Sequence, residues 1–173
     1  MELKNNLFDF KQHLIDSAQS YFKLLNIAVV IECNDFVNQK RYILRFFKDG
    51  FLHLTGLETD LSKNEFYEKC LSGTIATSDF YFGIRSDKKT VKRKLKSLKN
   101  IYDIFTKDIF VQESFIKNKI ECKIATSDGR CTIGFVDARQ YLRPKTILAN
   151  NHLDINKPIY IVKPFLSLDK SNN

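Results

Sequence analysis

Two stretches of the chain repeat apolar residues at the spacing of an amphipathic helix. Residues 3–25 carry leucine and aromatic side chains at steps of three and four positions, which predicts a helix with one packing face. Residues 88–106 show the same spacing from Val91 to Phe105, directly after Asp87, a residue type favoured at N-caps. Both patterns are typical of helices that lie on a core.

The segment before the second long helix is less regular. Ser62 and Glu65 have the capping-box spacing and predict a shorter helix over about residues 62–71. Residues 51–57 form an apolar run that is too short for periodicity to decide between helix and strand. Residues 48–50, Lys-Asp-Gly, are predicted to form a turn before that run.

Strand-like patterns occur early in the chain and dominate after residue 107. Residues 27–33 are rich in β-branched side chains, and residues 41–47 alternate apolar and polar positions, which predicts a hairpin. Asp128-Gly129 is a strong hairpin turn signal between two further strands. The strands predicted in the second half are 109–113, 119–126, 130–137, a segment within 141–149, and 159–162.

One proline limits the pairing of a predicted strand. Pro144 lies within residues 141–149 and has no N–H for a ladder, so this segment is an edge, a bulge or the start of a strand. The polar residues 167–173 are predicted to fray. We predict one domain over residues 1–173, with a helical part up to about 107 and a mainly β part over 108–166.

Charge and composition narrow the class of protein. The 173 residues suit a single domain with a core. A net charge of +8 points to a polyanionic partner, such as nucleic acid, an acidic protein or a membrane surface. No signal peptide and no membrane-spanning run is recognised, so we expect a soluble cytoplasmic protein without membrane contact. The four cysteines lack metal-site spacing and are expected to be reduced.

Several kinds of chemistry lack their motifs. The six glycines are scattered, so no phosphate-binding loop is predicted. Paired histidines and closely spaced carboxylates are missing, so no metal site and no cofactor is predicted. A metal-free mechanism using histidine, lysine, arginine and hydroxyl groups remains possible.

The apolar run from Phe51 to Leu57 contains His53, one of three histidines. The pKa of a histidine lies near neutral pH, and burial among apolar residues shifts it. This favours an acid/base role for His53 in a small basic nuclease. The alternative is a core histidine whose ring nitrogens are satisfied by backbone groups.

RNA cleavage without metal needs a proton acceptor, cations for the charge on the transition state, and a proton donor. Besides His53, the candidate catalytic residues are Arg143, Lys145 and Thr146. Thr55 and Lys163 are further candidates for holding the substrate. For Arg143 and Lys145 the alternative is an ordinary solvated strand face.

The predicted helix over 88–106 carries a run of cations whose signs do not alternate. Intrahelical ion pairs therefore cannot explain the run. Two interpretations remain: the cations attract RNA phosphates, or they form an ordinary solvated face of the helix. The candidate RNA-binding residues on this helix are Lys89, Lys92, Arg93 and Lys96.

Blocks of sequence in a fixed order resemble a known nuclease family. The blocks are Gly50–Leu57 with its His-Leu-x-Gly, Phe66-Tyr67, the lysine-rich helix, Thr132–Phe135, Tyr141–Leu148 and Pro158–Lys163. Together they resemble a phage-associated branch of the barnase/EndoU/colicin/RelE-like nucleases, over about residues 25–165. The chain departs from the family pattern at Thr146, where serine is frequent, and at Arg143 before the proline.

The resemblance implies an α+β fold, with N-terminal helices packed on an antiparallel sheet of about four or five strands. It also implies a metal-independent endoribonuclease, often a toxin or phage-conflict effector. Such an enzyme would need an acidic antitoxin or immunity protein as a partner. Two other functions stay open: a non-catalytic basic module that binds nucleic acid or an acidic protein, and a nucleotidyl or ADP-ribosyl transferase.

Overall fold

The computed structural model describes residues 8–84 and 86–169, and it is a mixed α+β structure. Within these residues the helices are α1 (Phe10–Phe22), α2 (Lys48–Thr55), α3 (Lys63–Ser72), α4 (Lys88–Leu98), α5 (Ile101–Ile104) and a 3-10 turn at Thr77–Asp79. The strands are β1 (Ile27–Glu32), β2 (Arg41–Arg45), β3 (Leu57–Glu58), β4 (Tyr81–Phe82), β5 (Ile109–Lys117), β6 (Ile120–Ser127), β7 (Cys131–Ala138), β8 (Tyr141–Ala149), β9 (Tyr160–Val162) and β10 (Phe165–Leu168).

Eight of the strands form one sheet in the order β10-β1-β2-β8-β7-β6-β5-β9. The prediction of four or five antiparallel strands was therefore wrong in number and in part in direction. The early hairpin β1–β2 joins the later strands through a parallel pairing of β2 with β8, at Leu44 and Leu142. A parallel contact between distant segments leaves no local sequence signal, since no turn connects the two strands.

The sheet curls until its two outermost strands are close neighbours. Strand β9 ends at Val162 and β10 begins at Phe165, so only Lys163 and Pro164 connect opposite ends of the strand order. At 3.8 Å between successive Cα atoms, the gap is at most about 11 Å. Residues 167–169 are thus not frayed: β10 pairs with β1, and Asp169 N–H donates to Asn26 O. Residues 170–173 lie outside the described residues.

The main core lies between the helices and one face of this curled sheet. Leu14, Phe51 and Leu95 from three helices are fully buried there, together with Leu44 and Ile147 from the central strands. A smaller cluster on the other face contains Phe115, Cys122, Ala125 and Leu153. Helices α2 and α4 both pack against β8, and this arrangement positions the candidate site.

Several local predictions agree with the structure, and three do not. The helix over 62–71 is α3, where Ser62 Oγ accepts from Glu65 N. The helix predicted over 88–106 breaks after Leu98 into α4 and α5. Residues 48–50 form the first turn of α2 instead of a separate turn. The helix predicted over 3–25 is α1, which is shorter, and residues 3–7 lie outside the described residues.

The four cysteines are free thiols. Cys122 belongs to the smaller cluster and Cys131 to the main core, so the two side chains lie on different faces of the sheet. None of the helices in the described part of the chain is long and apolar enough to cross a membrane.

Candidate functional site

His53 lies on α2, at a position that the helix turns away from the core. Phe51, Leu54 and Thr55 form the buried side of this short helix, and His53 falls between them on the exposed side. The helix ends at Gly56, which has a left-handed φ of 75°. His53 is therefore accessible to solvent and is not a sealed core histidine.

The surroundings of His53 lower the pKa of its imidazole. Partial burial is the main cause, and the positive charges of Lys145, Lys94 and Lys63 act in the same direction. The nearby backbone of Lys145 acts in the opposite direction and partly offsets them. The ring is consequently neutral at pH 7, and one nitrogen can accept a proton.

A bulge in β8 brings Lys145 to this histidine. Gly134 of β7 pairs with Thr146 and Phe135 pairs with Pro144, so Lys145 is an extra residue without a partner on β7. The bulge also explains why Leu142 and Ile147, five positions apart, both face the main core. Of the three roles predicted for the proline segment, an edge, a bulge or the start of a strand, the structure shows a bulge.

Lys94 is a second cation beside His53, and the sequence analysis did not single it out as a site residue. Its Nζ donates to the carbonyl of Ile147 at 3.2 Å, and burial lowers the pKa of its ammonium group. Its Cδ would lie 3.1 Å from a Cβ on Gly56, so the glycine leaves room for the lysine. Only the packing of α4 against α2 and β8 distinguishes Lys94 from the other lysines of its helix.

Arg143 approaches α2 one helical turn before His53. Its Nη2 donates to Asp49 Oδ1 at 2.6 Å, and its guanidinium lies over the Phe47 ring at 5.0 Å. Asp49 and His53 are four residues apart on α2 and share one side of it. Asp49 is not recognisable as a site residue from the sequence, because its relation to Arg143 exists only in the folded chain.

The two candidate threonines have structural contacts. Thr55 is fully buried, where its hydroxyl donates to Leu52 O at 2.7 Å and accepts from Leu57 N at 3.1 Å. Thr146 is buried as well, and its methyl carbon lies 3.1 Å from the Cβ position of Gly134. The Thr55 hydroxyl is therefore engaged by the backbone around the end of α2.

The other predicted RNA-binding cations spread over different surfaces. Lys92 and Lys96 lie near the Phe8 ring, at 5.1 and 6.0 Å, while Arg93 and Lys96 also line a cavity beside β7. Lys89 is exposed on the first turn of α4. Lys163 is exposed in the connection from β9 to β10.

The arrangement around His53 suits an anion rather than a metal ion. A neutral imidazole among three lysines can accept a proton and attract a phosphate. Among the residues that the structure describes, no group of three histidine, cysteine, aspartate or glutamate side chains is placed to hold a metal.

Comparison with known proteins gives one match. Neither the curated proteins nor the solved structures contain a match to this chain. The match is to a protein family and covers residues 13–170, which include every candidate residue described above. It confirms the family predicted from the sequence blocks: the chain belongs to the phage-Barnase-EndoU-ColicinE5/D-RelE like nuclease4 family.

Proposed function

We propose that the protein is a metal-independent endoribonuclease whose reaction takes place at His53. The observation that carries this proposal is the exposed position of His53 on α2, a helix that packs against the bulged strand β8 and against α4 with Lys94. Partial burial and the positive charges of Lys145, Lys94 and Lys63 lower the pKa of the imidazole. Membership of a nuclease-like family supports the same reaction class.

His53 acts as the general base. A neutral imidazole carries a proton on one ring nitrogen, and its other nitrogen accepts a proton. That nitrogen takes the proton of a ribose 2′-hydroxyl, and the 2′-oxygen attacks the adjacent phosphorus. The bond to the 5′-oxygen then breaks, leaving a 2′,3′-cyclic phosphate and a 5′-hydroxyl.

Lys145 and Lys94 stabilise the negative charge that develops on the phosphate oxygens. Lys94 also donates the proton that the leaving 5′-oxygen requires. Burial lowers the pKa of this ammonium group, so it gives up a proton more readily than an exposed lysine does. Arg143 binds the phosphate when it leaves Asp49.

The first experiment measures cleavage of a labelled single-stranded RNA by the purified protein in EDTA. We expect cleavage, and we expect His53→Ala to lower the rate at least about 100-fold, the usual loss on removal of a general base. His13→Ala is the matched control, because His13 lies on α1 with its Nδ1 near Asp9 O. Equal rates for the wild type and His53→Ala would refute the assignment.

Two further measurements separate the proposed steps. An RNA with a single 2′-deoxyribose at the cleavage position is expected to resist cleavage, because the nucleophile is missing. Lys94→Arg keeps the positive charge but cannot donate a proton near neutral pH, so it should lower the rate much as Lys94→Met does. Full activity of Lys94→Arg would leave charge stabilisation as the only role of this residue.

We further propose that the enzyme acts on cytoplasmic RNA as a toxin or phage-conflict effector, restrained by an acidic antitoxin or immunity protein. The net charge of +8 and the exposed cations of α4 support an acidic partner. Co-expression with neighbouring genes, scored by relief of growth arrest, tests this part. Growth arrest that His53→Ala does not relieve would contradict it.

One observation favours the alternative of a non-catalytic binding module. In this structure Arg143 is paired with Asp49, which leaves the cations of α4 as the more accessible positive surface. Salt-sensitive RNA binding without cleavage between pH 5 and 9 would support that alternative.

A further inference from the structure

A cavity of about 220 Å³ lies beside α4. Helix α4 contributes Arg93 and Lys96, and Asn100 precedes α5 on the same wall. The other wall includes Arg130, Cys131 and Ala149. The volume falls below the 300–1,000 Å³ that is usual for sites that enclose a whole small molecule. It therefore suits one planar ring better than a complete nucleotide.

The interior of this cavity is apolar. Ile104 and Ala149 present hydrocarbon surface to it. Burial raises the pKa of the Cys131 thiol to about 12, so this side chain is neutral. A flat, weakly polar group fits such an interior better than a phosphate does.

The rim of the cavity is positively charged. Arg93 and Lys96 are exposed on α4, and Arg130 lies across from them with 62% of its side chain exposed. The carboxylate of Asp128 is the one acidic side chain among the described lining residues, and it is held by Arg130. A polyanion that passes the cavity would meet three cations against one paired carboxylate.

Arg130 is held in a defined plane. Its Nε and Nη2 donate to Asp128 Oδ2 at 3.0 and 2.8 Å, while Asp128 Oδ1 accepts from the backbone N–H groups of Arg130 and Cys131. A guanidinium fixed in this way offers a flat face, and bases of single-stranded RNA stack on such faces.

Strand β8 connects this cavity to the His53 site. Lys145 lies beside His53, Lys94 binds the carbonyl of Ile147, and Ala149 lines the cavity. Four residues of extended strand span about 13 Å. This distance is short enough for one RNA chain to place a phosphate at His53 and an unpaired base in the cavity.

We propose that the cavity between α4 and the start of β7 binds one unpaired base of the RNA chain that is cleaved at His53. This inference rests on the proposed nuclease function and makes single-stranded RNA the substrate class. A base within a duplex is stacked between its neighbours and paired with the other strand, so it cannot enter the cavity. The rim cations hold the backbone on either side of the inserted base.

The test measures binding of a single-stranded 2′-O-methyl RNA, which cannot be cleaved by 2′-oxygen attack. Ala149→Leu fills the cavity and keeps every charge, while Arg130→Ala and the exposed Arg93→Ala remove rim cations. We expect each to weaken binding about fivefold or more, as for loss of one stacked base. Lys99→Ala is the matched control, because Lys99 is exposed next to α4 and outside the cavity.

A second arm uses oligonucleotides with one abasic position. One such position should weaken binding to the wild type and leave binding to Ala149→Leu unchanged, since the filled cavity has already lost that base. Equal losses in Ala149→Leu, Arg130→Ala and Lys99→Ala would overturn the inference, and so would equal binding of duplex and single strand. Melting temperatures identify any variant that fails to fold. If Arg130→Ala is such a variant, binding by Arg93→Ala shows whether the rim cations contribute to RNA binding.

The two proposals fail in different ways. A wild type that binds single strands through the cavity but cleaves no RNA refutes the catalytic proposal and supports the binding inference. Suppose that the wild type cleaves RNA in a His53-dependent way and that Ala149→Leu binds and cleaves as the wild type does. This result refutes base binding in the cavity and leaves the catalytic proposal standing.

Discussion

Arg143 donates a 2.6 Å hydrogen bond to Asp49, four residues before His53 on the same side of α2. The pair holds a potential phosphate-binding arginine one helical turn from the proposed base. Because the carboxylate competes with phosphate for the guanidinium, Asp49 limits how tightly the empty site attracts an anion.

Asp49→Asn is expected to lower KM for RNA by releasing Arg143. The partly exposed ion pair and the first-turn position of Asp49 together contribute no more than about 1 kcal/mol to stability, so the variant should fold. Steady-state kinetics at low salt measure the effect. Glu68→Gln is the control, because it removes one negative charge from the Lys48–Glu68 pair, which also involves the first turn of α2. An increase in KM specific to Asp49→Asn would mean that Asp49 positions Arg143 for binding.

The lowered pKa of His53 should appear in the pH dependence of stability. The unfolded chain protonates this histidine near its ordinary pKa of about 6.5, while the folded chain does so only at lower pH. The contribution of His53 to the free energy of unfolding is therefore complete above pH 6.5. It is lost as the pH falls through the pKa that His53 has in the folded chain. Urea unfolding of the wild type and His53→Gln at pH 7.5, 6.5 and 5.5 measures it. A difference between the two proteins that stays constant with pH would contradict the prediction.

Two helix-ending glycines allow a matched test of the packing between α2 and α4. Gly56 and Gly73 have φ values of 75° and 76°, so alanine at either costs about 1–2 kcal/mol in backbone strain. At Gly56 the added carbon would also lie 3.1 Å from Lys94 Cδ, whereas at Gly73 the nearest atom is 3.9 Å away. We expect Gly56→Ala to be the more destabilising and to lower the cleavage rate by displacing Lys94. Equal losses of stability, with full activity, would show that Lys94 moves without consequence.

The ion pair of Arg45 with Asp169 should stabilise the fold more than an exposed pair does. Its side chains are 15% and 16% exposed, with Nε and Oδ2 2.7 Å apart, whereas Arg41 and Glu32 are 58% and 65% exposed. Asp169→Ala should cost about 1.5–3 kcal/mol, and Glu32→Ala less than about 1 kcal/mol. Thermal or urea unfolding compares the two. Similar small losses would show that residues 165–169 contribute little to stability.

Much of the local structure was predictable because its signals lie within short segments. The capping pair Ser62 and Glu65, and the Asp128-Gly129 turn, act on neighbouring residues, and the structure contains both features. The turn predicted for residues 48–50 was wrong, because Lys-Asp-Gly is common in turns and only the packing of Phe51 and Leu54 makes it the start of α2.

The extent of the sheet could not be read from local patterns. The pairing of β2 with β8 joins segments almost 100 residues apart, and the short β10 lies in a segment whose polar residues suggested fraying. Each of these pairings depends on the curl of the whole sheet.

Two features of the candidate site stood out in the sequence. They were an unusual histidine and a proline-interrupted strand, and the structure packs α2 with His53 against β8 with Lys145. Lys94 and Asp49 were not visible, because one looks like its neighbouring lysines and the other like a turn residue. Their relation to the site depends on helix packing that residue type does not reveal.

The pairing of β1 with β10 has a consequence for when the fold can be completed. Ile27 cannot pair with Leu168 until residues 165–168 have left the ribosome, so the sheet stays open until then. Contacts between such distant segments also form slowly. Under the proposed function, a nascent chain that already carries His53 would therefore not cleave the messenger RNA from which it is being made.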